Sequence, residues 1–164
     1  MVASAGIGKG IGKLRFELIK LGTEPYERWK QVAAEVRIFS SGSDTPLQTI
    51  GTQIGIPDPR FDFADLNGDG YKDLLLYNDC AGFATCAGPT IGADVFLYVP
   101  RLRQFVKSQT LSGRGEIGPS SNKGCALIRY KSGPAGYTDE EWCFNQKTGR
   151  WKLIMSSGGE PEKD

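Results

Sequence analysis

The 164-residue sequence contains no histidine. Histidine is the usual general base near neutral pH and the commonest metal ligand in proteins. Its absence excludes Ser-His-Asp and Cys-His catalysis and most catalytic zinc sites. An enzyme with this sequence would depend on carboxylates, tyrosine or lysine, and we therefore expect a protein that is not an enzyme.

The sequence also lacks any run of about 20 apolar residues, the length that a membrane-spanning helix requires, so we expect no membrane span. Neither sign of charge is in excess, because 20 Lys and Arg residues face 19 Asp and Glu residues and the net charge is +1. Such a balance provides no electrostatic reason to expect a nucleic-acid partner. The 22 glycines and nine prolines instead indicate short strands joined by many turns.

Cysteine is scarce, and none of its spacings is the C-x-x-C of a structural zinc site. The four residues are Cys80, Cys86, Cys125 and Cys143. Of the three possible pairings, we favour Cys80–Cys86 together with Cys125–Cys143, which places the chain in an oxidising compartment. No signal peptide is visible at the start, and we expect that one was removed and that the protein is periplasmic. The alternative is a cytosolic protein with four reduced thiols.

Residues of alternating polarity predict a mainly β, antiparallel fold. We expect a single β-sandwich or a propeller-blade-like domain with one calcium loop, because no fixed-period repeat indicates a full propeller. We predict a flexible segment over 1–13, a β-rich calcium-binding domain over 14–155 and a flexible tail over 156–164. Residues 24–30 favour a turn or a short helix. The predicted strands are 14–19, 32–39, 46–52, 60–64, 74–77, 95–99, 104–109, 126–130, 140–145 and 151–155.

An acidic run between two predicted strands has the spacing of a calcium-binding loop. Asp65, Asn67 and Asp69 occupy alternate positions, and a glycine comes next where the loop must turn. The carbonyl of Tyr71 and the carboxylate of Asp73 would complete a set of hard oxygen ligands, which suit Ca²⁺. Crowded carboxylates also repel one another unless a cation is present. The alternative is a solvated turn that binds nothing.

The residues after the loop distinguish it from a helix–loop–helix calcium site. The twelfth position, where such a site has a bidentate glutamate, is Leu76. The apolar run of residues 74–77 indicates a buried strand, so the loop leads into a sheet, as FG-GAP-type calcium loops do.

A hairpin is predicted around Pro134. Folding the chain there makes Cys125 oppose Cys143 and Arg129 oppose Asp139. Directly opposed strand positions bring Cβ atoms close enough for a disulfide, and an Arg–Asp pair agrees with the same register. The tip would then present Tyr137, either as an exposed aromatic probe for a partner's cleft or packed back on the sheet.

From Val36 onward, the order of these elements resembles a known protein family. The resemblance is carried by a strand at 36–39, the loop at 63–74, and the segments Phe96-Leu97-Tyr98 and Gln104-Phe105-Val106. A Gly-rich loop with Tyr137 comes next, followed by Trp142 and then Trp151. The resemblance covers residues 32–155. Over this range the sequence is similar to the periplasmic immunity proteins of Xanthomonas-type bacteria-killing type IV secretion systems. Those proteins are similar in fold to periplasmic lysozyme inhibitors.

The resemblance implies a calcium-stabilised periplasmic protein that blocks a peptidoglycan-degrading, lysozyme-like effector by inserting loops into its active site. The metal-loop residues of this sequence fall on the family's metal loop. Ser132, Gly133 and Tyr137 resemble the Ser-Gly-x-x-Tyr element that lysozyme inhibitors insert into the enzyme cleft, with one additional residue before the tyrosine here.

Two other classes of function are compatible with the sequence. One is a calcium-dependent surface or glycan-binding adhesion module, since FG-GAP-type loops occur in adhesive proteins. The other is a carboxylate-only hydrolase that uses Asp139, Glu140 and Glu141. Adjacent acids on a strand point to opposite faces, however, and so do not form an obvious acid/base pair.

Overall fold

The computed structural model describes residues 1–22, 31–55, 58–79, 92–133 and 136–158. Within these ranges all regular structure is β-strand and no helix is present, so the expected mainly β fold is confirmed. The strands are β1 (Val2–Gly6), β2 (Lys13–Lys20), β3 (Val32–Ser40), β4 (Gln48–Ile54), β5 (Arg60–Ala64), β6 (Asp73–Asp79), β7 (Gly92–Val99), β8 (Gln104–Lys107), β9 (Glu116–Pro119), β10 (Cys125–Lys131), β11 (Tyr137–Asn145) and β12 (Arg150–Gly158).

The strands form three four-stranded antiparallel sheets, none of which closes on itself. The first sheet contains β1–β4, the second β5–β8 and the third β9–β12, and in each sheet strands adjacent in sequence are hydrogen-bonded neighbours. The many glycines and prolines suit this arrangement, because turns built from them reverse the chain within a few residues.

The second sheet is buried on both faces because it lies between the other two. Leu74 and Leu76 of β6 point into a first core shared with the first sheet. Leu75 and Tyr77, on the opposite face of β6, point into a second core shared with the third sheet. Because successive side chains of a strand point to opposite faces, the part of β6 between the two cores, residues 74–77, is apolar at every position.

Two strands were not predicted. The segment 1–13 was expected to be flexible, and the structure instead places β1 there, antiparallel to β2. β1 is anchored at both ends. Ile7 is buried in the first core, the Met1 amino group donates to the Leu18 carbonyl, and the Met1 carbonyl accepts from the Leu18 N–H. The second is β9, a short strand whose Ile117 lies in the second core.

Part of the expected flexible tail belongs to a strand. β12 continues through Gly158, because residues 156–158 pair with residues 138–140 of β11. Residues 159–164, and the turn or short helix expected at 24–30, lie outside the described residues. No helix in the described part of the chain is long and apolar enough to cross a membrane.

Candidate metal loop and partner-binding hairpin

The acidic loop connects β5 to β6, as the sequence predicted. Asp65 curls the chain around its carboxylate: Oδ1 accepts hydrogen bonds from the N–H groups of Gly68 at 2.8 Å and Asp69 at 3.2 Å, and Oδ2 accepts one from Gly70 at 2.9 Å. Short side-chain-to-backbone bonds of this kind are the reason that Asp and Asn favour turns.

The next two side chains repeat the pattern further along the loop. Asn67 Oδ1 accepts from the N–H of Asp69 at 3.1 Å, and Asp69 Oδ1 accepts from that of Tyr71 at 2.9 Å. The amide of Asn67 also donates to Asp69 Oδ2 at 3.1 Å. The three polar side chains therefore lie along the inside of one curled segment.

Asp73 differs from the other acidic residues of the loop because it is fully buried. Its Oδ2 accepts from the N–H of Leu66 at 3.0 Å and its Oδ1 accepts from that of Tyr98 at 2.9 Å, so the carboxylate joins the loop to β7. The pKa of Asp73 is raised to about 7, chiefly by burial and to a smaller extent by the charges of Asp69 and Asp65, while these two hydrogen bonds lower it.

The loop contacts all three sheets. Toward the first sheet, the Lys72 N–H donates to the Ile7 carbonyl at 2.7 Å. Toward the third sheet, the Gln146 amide donates to the Asn67 carbonyl at 2.9 Å. Leu66 is buried in the second core, and the Tyr71 ring packs against the first core. The acidic loop is therefore a junction between the three sheets.

Two close backbone approaches make this junction possible. A Cβ on Gly68 would lie 2.8 Å from the Cα and N of Gly124, and one on Gly8 would lie 2.7 Å from Cδ1 of Tyr71. Gly68 also has a φ of +73°, which favours glycine. The contacts of Gly8, Gly124 and Gln146 with the loop could not be predicted, since nothing local in the sequence marks residues so distant from it.

The five predicted metal ligands are thus on one loop, and their chemistry suits Ca²⁺. In the described residues, however, no group of three or more His, Cys, Asp or Glu side chains is gathered in an arrangement that would hold a metal. The carboxylates instead accept backbone hydrogen bonds. The calcium site consequently stays a prediction.

The predicted hairpin has the predicted register. β10 pairs with β11 so that Cys125 opposes Cys143, Arg129 opposes Asp139 and Tyr130 opposes Thr138. Cys125 and Cys143 form a disulfide, as expected, which is consistent with an oxidising compartment. The other expected disulfide, Cys80–Cys86, lies outside the described residues.

A charged pair clamps the same hairpin nearer its tip. Arg129 Nε and Nη2 donate to the two carboxylate oxygens of Asp139 at 2.8 and 2.9 Å. The Arg129 guanidinium holds the pKa of Asp139 below its ordinary value. Two parallel N–H···O bonds fix the orientation of both side chains, so the pair supports the register.

The hairpin tip leaves the predicted partner-binding residues accessible. Ser132 is exposed, Gly133 is partly exposed, and Tyr137 is 38% exposed. The Ser132 N–H donates to the Gly136 carbonyl at 3.0 Å, which narrows the end of the hairpin. Tyr137 is therefore neither packed away nor fully extended into solvent.

The three acidic residues of the hydrolase alternative are each held by other groups. Glu140 is buried and accepts from Arg114 at 2.9 Å, the Tyr130 hydroxyl at 2.8 Å and the Trp142 indole at 2.7 Å. Glu141 accepts from Ser120 and Asn122 on the opposite face. With Asp139 paired to Arg129, this cluster resembles a set of structural contacts more than a catalytic pair.

No protein-family model, curated protein sequence or solved structure matches this chain. The family resemblance carried by the sequence therefore stays a prediction. Function depends on the site rather than on the fold, and the candidate sites of this chain are the loop and the hairpin.

Proposed function

We propose that this protein is a calcium-stabilised periplasmic immunity protein that inhibits a peptidoglycan-degrading, lysozyme-like effector. One observation carries the proposal: the β10–β11 hairpin is braced by a disulfide and by the Arg129–Asp139 pair, and a partly exposed tyrosine lies at the start of β11. The protein acts in this proposal by docking and performs no chemistry of its own.

A braced hairpin is suited to entering a cleft because little conformational entropy remains to be lost on binding. Tyrosine is suited to the tip because it buries a large area with few rotatable bonds. Ser132 and Gly133 would contribute a hydroxyl and an accessible backbone at the same end of the hairpin. Periplasmic localisation agrees with the disulfide, since disulfides persist in that compartment.

In the same proposal, Ca²⁺ is held by the side chains of Asp65, Asn67, Asp69 and Asp73 and by the carbonyl of Tyr71. Bound Ca²⁺ would supply positive charge among crowded carboxylates, a stabilising contribution that is structural. The curled loop that Asp65 organises, and its contacts with all three sheets, support this part of the proposal.

Of the two architectures expected from the sequence, we propose the blade-like one. Each sheet is a meander of four consecutive antiparallel strands, which is the arrangement of a propeller blade. Three such sheets, packed face to face through two cores, would form an open stack that presents hairpins and loops at its ends.

The test is inhibition of purified peptidoglycan hydrolases that cut different bonds. Labelled cell walls are digested with or without the protein, and the release of label is measured. We expect a lysozyme-like enzyme to be slowed and an amidase to be unaffected. Failure to slow any glycan-cleaving enzyme, including one encoded beside this protein's gene, would reject the proposal.

The hairpin's role is tested with Tyr137→Ala and a matched control. We expect this variant to raise the inhibitor concentration needed for half-inhibition at least about tenfold, because tyrosine anchors dominate such interfaces. The control is Leu102→Ala, which removes a 51% exposed apolar side chain from the turn between β7 and β8. Equal effects of the two substitutions would show that the hairpin is not the binding element.

The adhesion module remains the second candidate, favoured by the same acidic loop. It differs in one observable, because an adhesion module binds cell-wall glycan directly. Sedimentation of the protein with purified cell walls in calcium, without any hydrolase, would favour it over the inhibitor.

A further inference from the structure

A polar cavity of about 560 Å³ lies at one end of the groove between the first and second sheets. Its lining includes Thr52 of β4, Asn78 of β6, Asp94 of β7 and Lys107 at the end of β8. The volume is within the range of small-molecule sites. Neither the acidic loop nor the hairpin contributes to the described lining.

The polar side chains in this cavity are connected to one another. Asp94 Oδ1 lies 2.7 Å from Lys107 Nζ, and its Oδ2 accepts from the Thr52 hydroxyl and from the Asn78 amide, both at 3.1 Å. Asn78 also donates to the Gln53 carbonyl at 2.8 Å and is almost completely buried. Polar groups that hold one another in place are preorganised for a ligand.

The network still has capacity for further hydrogen bonds. An ammonium group has three donors and a carboxylate has about four acceptor sites. Lys107 uses one donor on Asp94, and the described contacts of Asp94 occupy three of its acceptor sites. Small residues, among them Ala34 and Gly51, line the remaining space and leave room for a ligand.

The charges select among ligand classes. Asp94 and Lys107 neutralise each other at 2.7 Å, so the described lining has no net charge to attract an ion. A zwitterion such as a free amino acid would lose the hydration of two further charges on entering and would meet a pair that is already neutralised. A neutral ligand rich in hydroxyl groups can leave the pair intact and use its remaining donors and acceptor.

We propose that this cavity is a binding site for a neutral, polyhydroxylated small molecule, namely a monosaccharide unit. Hydrogen bonds alone would hold it, since the described lining includes no aromatic ring for stacking. We accordingly expect a dissociation constant in the millimolar range. The site is independent of the inhibitor role, and either proposal can fail without the other.

The experiment is an NMR titration of the isotope-labelled protein with glucose, N-acetylglucosamine and, as a zwitterion, L-alanine. We expect the sugars to cause saturable shifts of the Asn78 side-chain amide and of the Gly51 and Gly113 backbone amides, and we expect alanine to cause none. Saturation by alanine would overturn the ligand class, and no saturable shift with any sugar at about 100 mM would overturn the site.

Variants separate binding from folding. Asp94→Asn and Lys107→Ala are each expected to weaken sugar binding at least about fivefold, and the Lys107 side chain is 42% exposed, so its removal leaves the core intact. The matched control is Thr49→Val, an exposed residue of β4 outside the cavity, which should bind like the parent protein. Undiminished binding in both cavity variants would also reject the proposal.

Discussion

Three consecutive acidic residues in β11 have three separate environments. Asp139 is partly exposed and paired with Arg129, Glu140 is buried among Arg114, Tyr130 and Trp142, and Glu141 is buried on the other face. Strand geometry alone explains why adjacent members point to opposite faces. It does not explain which groups hold these acids in place, because most of those groups lie on other strands and turns.

The effect of Arg129 on the pKa of Asp139 can be measured by titration. Because the pKa of Asp139 is lowered in the folded state, the pair stabilises the fold above the ordinary aspartate pKa, and this contribution is lost as pH falls through the folded value. Arg129→Gln should return the pKa of Asp139 toward its ordinary value, as followed by carboxyl ¹³C shifts. Arg37→Gln, in the first sheet, is the control that should leave this pKa unchanged.

The close approach of Gly68 to Gly124 lets us predict how much stability is lost when the acidic loop is forced away from the third sheet. Gly68→Ala places a Cβ 2.8 Å from the backbone of Gly124 at a φ of +73°, and we expect a loss of about 2–4 kcal/mol in the free energy of unfolding. Gly42→Ala is a matched control, because its φ is +75° but its Cβ would meet nothing within 4 Å. Equal losses in urea unfolding would show that the close approach contributes nothing.

At the scale of elements, β10 and β11 were predictable because their pairing is local. A turn predicted at Pro134 and two opposed pairs were enough to obtain a register that the structure confirms. β1 was not predictable in this way, because its small residues have no strong strand preference. It forms because β2 offers an edge and the first core accommodates Ile7.

Removing the hairpin's disulfide should destabilise the protein without changing the register. Cys125 and Cys143 are 18 residues apart, a separation for which a crosslink contributes about 3 kcal/mol. We expect the double variant Cys125→Ser, Cys143→Ser to lose about 2–4 kcal/mol in urea unfolding, and NMR contacts between Arg129 and Asp139 to persist. An unchanged midpoint, or a lost Arg129–Asp139 contact, would contradict this account.

One sheet edge is protected by a side chain from another sheet. The carboxamide of Gln48 in β4 donates to the Phe105 carbonyl at 2.8 Å and accepts from its N–H at 2.9 Å. These are backbone groups of β8, the edge strand of the second sheet. A satisfied edge is less available for unwanted strand pairing.

At the scale of the whole molecule, both end faces of the stack carry charged side chains. On the first sheet Glu17 opposes Arg37, and the Arg15 guanidinium lies 4.2 Å from the Phe39 ring. On the third sheet the Arg129–Asp139 pair occupies the corresponding face. Polar terminal faces are what a stack of repeated units needs in order to end in water.

Because the acidic loop contacts all three sheets, calcium bound there should stabilise the whole fold. If the loop binds Ca²⁺, calcium at about 100 times its dissociation constant should add about 2.7 kcal/mol, or about 5–10 °C in Tm, and EGTA should remove it. Differential scanning calorimetry measures this. Asp69→Asn should abolish the response, whereas Asp58→Asn, an exposed aspartate outside the loop, should retain it. A Tm indifferent to both calcium and EGTA would reject the calcium site.

The sequence by itself determined most of the strands, the hairpin register and the acidic loop's position, because these depend on neighbours within about 20 residues and on a side-chain period of two. Only the tertiary structure decided how three sheets stack, why Gly68 must meet Gly124, and which groups surround the polar cavity. Alternation shows that β6 and β7 have two faces, but not which sheet covers each. That choice depends on shape and burial across residues that are far apart in the chain.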